Sequence, residues 1–356
     1  VKILLVTDAW PPQVNGVVRT LKETIRHLEA AGHRTEVISP DGFRCMPCPS
    51  YPEIPLALFP GREVARRIDA ARPDVVHIVT EGPLGSAARR HLLARGIPFT
   101  SAYHTAFPEY LEARIPFTLG LGYSFMRRFH APSRAVMVPT DTMTRRLAAR
   151  GFANLRPWSR GVDAGLFRPR SKDFLADPRP IHLYAGRIAV EKNIEAFLKL
   201  DLPGTKYVVG AGPQLKRLRA KYPNARYTGY VDDETLAAFY AAADVFVFPS
   251  RSDTFGLVLL EALASGLPVA AFPVTGPLDV IGDSGAGCLD EDLGRAIDGA
   301  LKLSPKLCRE HALGFSWTDA TSQFMANINA PAVHEAMPEA APSTIIAAAA
   351  KGPFNP

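Results

Sequence analysis

Short apolar runs recur along this chain, each followed by a turn bearing glycine or proline and then by a stretch with helical spacing. Lys2 to Thr7 predicts a strand, Asp8 to Gly16 a loop and Val17 to Ala31 a helix. Gly32 is a helix stop, and Thr35 to Ser39 predicts the next strand. Val75 to Val79, behind Pro73, predicts a third, with Pro98 to Ala102 and Ala135 to Val138 as later ones. Strands separated by helices are the pattern of parallel βαβ units, so this half predicts a doubly wound sheet.

The rhythm restarts near Pro180. Ile181 to Tyr184, Tyr207 to Val209, Ala225 to Tyr227, Val245 to Phe248 and Val269 to Ala271 predict strands. Ile194 to Leu200, Asp233 to Ala242 and Thr254 to Ser265 predict helices. The fold class expected is α/β, with two open sheets, and 356 residues are enough for two domains. The division expected is 1–168 and 169–314, where Pro169, Pro178 and Pro180 punctuate a polar stretch. Residues 329–356 turn to Ala, Pro and Ser without the pattern of a core, and a loosely ordered tail is expected there.

Apolar residues make up 47% and charged residues 21%, ordinary for a globular protein. No run of eighteen apolar residues exists, and the apolar start is too short for a signal-peptide core. Cytoplasm is therefore the default expectation. Cys45 and Cys48 have half-site spacing but no second pair at a matching distance, and Cys288 and Cys308 are scattered. A loop pair with neither bond nor metal is expected. Charge is uneven: residues 1–165 carry 22 Lys and Arg against 14 Asp and Glu, and the rest carry 19 against 21. A basic first half suits phosphorylated substrates or anionic headgroups, and equally a solvated Arg-rich surface. No stacking aromatics interleave with the basic patches, which argues against nucleic acid.

Ligands of open parallel sheets bind beyond the carboxyl ends of the strands, where loops meet helix N-termini. Trp10 to Val17 is such a loop, with Asn15 and Gly16 at its end. It lacks the three-glycine dinucleotide fingerprint, which weakens a dehydrogenase reading. An epimerase would also need a Tyr-x-x-x-Lys pair in place, and none is. Ala185 to Asn193 is a strand-end loop carrying Arg187 and Lys192, five apart, a pattern for a phosphate clamp or a solvated loop. In Pro249 to Pro268, Asp253 and Glu261 bracket a turn in which Phe255, Gly256 and Leu257 can present successive N–H groups to a phosphate. Each acid has a bland alternative: a loop or cap acid for Asp253, a surface charge for Glu261.

A carboxylate, seven residues and a glutamate, here Asp253 to Glu261 around Phe255-Gly256-Leu257, resembles the motif of retaining glycosyltransferase family 4. The resemblance covers about residues 2–328 and implies a GT-B fold, two Rossmann-like domains facing each other across a cleft. Aspartate at the first acid, where many members have glutamate, is a departure that shortens the reach toward the sugar. The resemblance implies that Arg187 and Lys192 meet the donor diphosphate and that the loops of Gly212 and Val231 seat the base. It further implies that Glu261 grips ribose, that Asp253 orients the sugar, and that His104 hydrogen-bonds the transferred sugar. Asn15, Gly16 and Glu81-Gly82 would line the cleft. Arg160-Gly161-Val162-Asp163 resembles the turn near the interdomain linker, and 315–328 resembles the final helix that crosses back to the first domain.

The implied chemistry is retaining hexosyl transfer from a nucleotide sugar to a lipid or glycan acceptor, without metal or cofactor, since no Asp-x-Asp pair stands in a loop. GDP-mannose is the donor expected; UDP-glucose with a diacylglycerol acceptor is the alternative, and a non-catalytic nucleotide binder is the reading from another class. The segment Phe107 to Phe129 mixes Phe117, Leu119, Leu121, Tyr123 and Phe125 with Arg114, Arg127 and Arg128. It predicts either shallow contact with an anionic membrane at the inner face of the cell or a core helix with a charged face.

Overall fold

The structure is a computed structural model and describes residues 1–48, 51–112 and 115–329; the tail expected beyond Asn329 and the side chain of Arg114 lie outside it. The first half opens with β1 (Lys2–Val6), α1 (Gly16–Ala30) and β2 (Arg34–Ile38), then a hairpin of β3 (Cys45–Cys48) and β4 (Tyr51–Ala57). It continues through α2 (Gly61–Ala71), β5 (Val75–Ile78), α3 (Pro83–Ala94), β6 (Thr100–Ala102), α4 (Phe107–Glu112) and α5 (Leu119–His130). β7 (Val136–Val138), α6 (Asp141–Ala148) and β8 (Leu155–Pro157) complete it. Six strands pair in parallel in the order β2-β1-β5-β6-β7-β8. The antiparallel hairpin stands apart, and it corrects one expectation: Cys45 and Cys48 bound a strand rather than sitting in a loop, both as free thiols.

The second half repeats the plan with β9 (Ile181–Ala185), α7 (Ile194–Leu198), β10 (Thr205–Val209), α8 (Leu215–Lys221), β11 (Arg226–Gly229) and α9 (Asp233–Ala242). There follow β12 (Val245–Phe248), α10 (Leu257–Ala264), β13 (Val269–Ala271), α11 (Thr275–Val280), β14 (Gly287–Leu289), α12 (Leu293–Ala300) and α13 (Pro305–Ala312). Its strands are parallel in the order β11-β10-β9-β12-β13-β14. The central strands β9 and β12 are buried throughout and β1 is buried after Lys2, as expected where helices cover both faces of each sheet.

Strand order reverses between β1 and β5 in the first sheet and between β9 and β12 in the second. Those are the switch points at which neighbouring loops part and leave a crevice at the carboxyl edge. α14 (Trp317–Ile328) then returns to the first half. Its Phe324 and Ile328 join Ile3, Leu5, Leu21 and Trp158 in one buried cluster, and Asn327 Nδ2 donates to the Pro157 carbonyl at 2.7 Å.

Candidate active site

The loops after β9 and β12 flank the second switch point and are stitched together. Asn193 Nδ2 donates to the Pro249 carbonyl at 3.1 Å, and the hydroxyls of Ser250 and Ser252 donate to the Glu191 carbonyl at 3.4 and 3.3 Å. Within this frame Lys192 Nζ meets Asp253 Oδ1 at 2.5 Å. Burial opposes the ammonium charge, but Asp253, together with Tyr110 and Tyr184, outweighs it and the Lys192 pKa is raised. Asp253 Oδ2 is buried without a hydrogen-bond partner, which leaves one carboxylate oxygen for a further donor. Arg187, half-buried on the same loop, has its carbonyl held by the Tyr184 hydroxyl at 2.7 Å.

Gly256 has φ +88°, a left-handed conformation that breaks the helical path, so α10 starts at Leu257 and not at Thr254. No side chain caps the N-terminus of α10, which directly follows the loop that holds Asp253. Phe255 is buried, its ring 6.5 Å from that of Phe315. Glu261, one of the two acids with a bland alternative, is 4% exposed and is no surface charge. Tyr240 donates to its Oε2 at 3.1 Å, and Arg19 of α1 pairs with its Oε1. Arg19 also pairs with Asp233, and its charge is reinforced chiefly by Glu261 against the opposing effect of burial. Any ribose contact by Glu261 is shared with a side chain from the other half of the molecule.

On the first-domain side, Asn15 is used within its own loop. Its Oδ1 accepts from Val18 N–H at 3.0 Å as the cap of α1, and its Nδ2 donates to Gln13 at 3.2 Å. Gly16 faces the other half directly: a Cβ there would stand 3.7 Å from Leu257 Cδ1. His104 follows β6, and its carbonyl accepts from the Thr254 hydroxyl at 2.7 Å across the seam. Its ring lies edge-on to Trp158 at 5.4 Å, and the guanidinium of Arg160 reaches Nδ1 at 3.2 Å. Burial, then the charge of Arg160, hold the His104 pKa well below its ordinary value, so the ring is neutral.

Gly212 lies where a Cβ would stand 2.4 Å from the Ile188 carbonyl, so its loop packs directly on the loop of Arg187. Val231 is half-buried after β11, whose end is joined to the Gly210 loop by the Gly210 N–H to Gly229 carbonyl bond of 2.8 Å. Glu81 accepts from His130 Nε2 at 3.1 Å. Asp279 bridges the seam a third time, accepting from the N–H and hydroxyl of Thr142 at 3.1 and 2.8 Å. The segment expected to run from Phe107 to Phe129 is two helices. It buries Tyr123, whose hydroxyl meets Glu109, while Phe117, Leu121, Phe125, Arg127 and Arg128 stay exposed. Arg19 and Thr254 were not legible as seam residues. The one hint for Arg19 is a cation in the first turn of a helix, against the macrodipole, which needs an acidic partner elsewhere.

Two parallel sheets that meet at their carboxyl edges, with paired loops at each switch point, form the GT-B architecture. Residues 14–166 match the family model described as Glycosyltransferase Family 4, and residues 179–303 the model described as Glycosyl transferases group 1. A GDP-mannose-dependent alpha-mannosyltransferase of Mycobacterium tuberculosis is 31% identical over 81% of this chain and 83% of its own. An alpha-monoglucosyldiacylglycerol synthase of Streptococcus pneumoniae is 28% identical over 88% and 80%. Among solved structures, a sucrose-phosphate synthase from Thermosynechococcus elongatus superposes with a TM-score of 0.69 at 20% identity, covering 91% of this chain and 97% of that one. The chain belongs to glycosyltransferase family 4. It is an enzyme that transfers a sugar from a nucleotide sugar.

Proposed function

We propose that the enzyme moves mannose from GDP-mannose, with retention of configuration, to a glycolipid or glycan acceptor. The observation that carries this reading is the 31% likeness, over most of both chains, to a mannosyltransferase that uses GDP-mannose. The seam suits the chemistry. In this reading Arg187, Lys192 and the first N–H groups of α10 would stabilise the negative charge gathering on the departing diphosphate, usually the largest contribution to catalysis of this kind. On the same-face route, the acceptor oxygen bonds to the anomeric carbon as the bond to the diphosphate oxygen breaks, and the acceptor proton passes to the leaving diphosphate. Asp253 Oδ2 and His104 would hold sugar hydroxyls during that exchange. The reading needs no metal or cofactor, and among the described residues no three His, Cys, Asp or Glu side chains are grouped to hold an ion.

The acceptor is proposed to be presented at an anionic membrane. Phe117 is 96% exposed, and Leu121 and Phe125 are exposed one turn apart on α5 beside Arg127 and Arg128. Among the described residues no helix is long and apolar enough to cross a membrane, so this contact would be shallow. Incubating the purified enzyme with GDP-mannose, UDP-glucose and other nucleotide sugars, with lipid vesicles or soluble glycans, tests both parts. The expected result is mannosyl transfer from GDP-mannose, an α-anomeric product by NMR, and faster transfer on anionic than on neutral vesicles, fading with salt. Preference for UDP-glucose and a diacylglycerol acceptor would instead place the enzyme with the monoglucosyldiacylglycerol synthase. Transfer to soluble glycans alone, with no binding to anionic vesicles, would remove the membrane.

A further inference from the structure

Arg160 is 4% exposed, yet no carboxylate is among its partners. Its Nη1 donates to the carbonyls of Trp158 and Ser159 at 2.6 and 2.9 Å, and its guanidinium stacks on the Trp158 ring at 4.3 Å. The remaining Nη2 donates to His104 Nδ1 at 3.2 Å. A guanidinium has only donors, so Nδ1 must be the acceptor. A neutral imidazole carries one N–H, which then has to be at Nε2. Nε2 is buried and has no hydrogen-bond partner in the protein. Trp158 packs the ring edge-on and Arg160 holds Nδ1, while Thr254 of the loop after β12 holds the backbone carbonyl of His104.

We infer that Arg160 is a positioning residue that locks His104 as the Nε2–H tautomer and makes it a permanent, uncharged hydrogen-bond donor to the transferred sugar. This rests on the glycosyl-transfer reading above. Glycosyl transfer passes through a transition state with cationic character at the ring, where an imidazolium in contact with the sugar would be unfavourable. Arg160 keeps its positive charge behind the imidazole and leaves the other edge neutral. The groups that act on His104 agree with this. Arg160, His77 of β5 and His130 of α5 all disfavour its protonation, and Asp253, next to Thr254, is already paired with Lys192. Burial alone pushes Arg160 itself down to about 9, so it stays charged at neutral pH and keeps this role.

Imidazole ¹⁵N NMR of the full-length enzyme reads the tautomer directly, with the His104 signals assigned by their loss in His104→Gln. The wild type is expected to show a protonated Nε2 and an unprotonated Nδ1, unchanged from pH 8 to pH 5.5. Arg160→Met keeps an apolar chain against Trp158 but removes the donor. It should give a mixed tautomer whose ring titrates at higher pH, at least a tenfold loss of kcat with a smaller change in KM for the donor, and an acid limb of the kcat profile moved upward. Arg160→Lys restores one donor and should recover part of both signals. A protonated Nδ1 in the wild type overturns the inference without any variant being needed. So does an Arg160→Met enzyme whose His104 spectrum and pH profile match the wild type. If the tautomer is as expected but no nucleotide sugar supports transfer, it is the reading of the site that fails and not the lock.

Discussion

In the reading proposed above, Lys192 and Asp253 are the pair that the donor would meet first. At 2.5 Å, with most of both side chains buried, each neutralises the other, and a diphosphate entering the loop would compete with Asp253 for the ammonium. Lys192→Ala removes the cation and leaves Asp253 buried without its counter-charge. The expected outcome is a loss of about 10²–10³ in kcat/KM, the usual cost of deleting one donor to developing charge in a closed site. Lys192→Arg should fall between, because a planar fork keeps the charge but not the compact ammonium geometry. Steady-state kinetics on both variants check this, and a Lys192→Ala enzyme with wild-type constants takes the residue out of the chemistry. Glu261 shows what sequence can tell about a single residue. An acid inside Leu257-Val258-Leu259-Leu260-Glu261-Ala262-Leu263-Ala264 has no polar face of the helix to sit on, and it is indeed buried.

Helix α10 shows the same logic one level up. Its apolar pattern predicted the helix, but periodicity cannot see a single left-handed residue, and Gly256 moves the start three residues beyond Thr254. In the proposed reading the displacement matters, because it starts an α10 with no side-chain cap directly after the loop holding Asp253. Gly256→Ala forces an L side chain into φ +88° and places its Cβ 3.0 Å from Leu259 Cδ1 and 3.3 Å from Phe248 Cζ. A destabilisation of about 1–2 kcal/mol is expected by chemical denaturation, with a loss of donor affinity in nucleotide titrations that exceeds it. An Ala variant with unchanged affinity would show that the turn does not shape the donor site. The β3–β4 hairpin, whose strands Pro47 and Pro55 disguise, was among the elements not predicted, as were the short edge strands β8 and β14.

Among the described residues, three side-chain bridges near the candidate site cross between the two halves: Arg19 to Glu261 and Asp233, Thr254 to the His104 carbonyl, and Thr142 to Asp279. α14 adds an apolar anchor on the first sheet. Each bridge has at least one end on a loop or in the first turn of a helix, and the Arg19 and Thr254 bridges reach residues proposed above to meet the donor. Arg19 is the strongest of the three, because it meets a nearly buried carboxylate. Arg19→Ala should widen the spread of interdomain distances measured by spin-label spectroscopy and raise the radius of gyration in solution scattering. Glu261→Gln in the same background should add little, since the two side chains act as one unit. Identical distance distributions in wild type and Arg19→Ala would show that the bridge does not govern closure.

The chain's own pattern determined the α/β class, the two parallel sheets, and the loops at strand ends where a nucleotide sugar has to bind. These follow from local rules: an apolar run of four or five residues is a strand, an amphipathic stretch is a helix, and parallel strands leave their loops at one edge. Tertiary structure decided which charges meet. Arg19 and Glu261 are 242 residues apart, Lys192 and Asp253 are 61 apart, and Arg160 and His104 are 56 apart. No periodicity relates such positions. A charged side chain on a loop looks the same in sequence whether it ends in water, on a carboxylate or against an imidazole. Only the folding of two sheets onto each other removes the water and selects the partner.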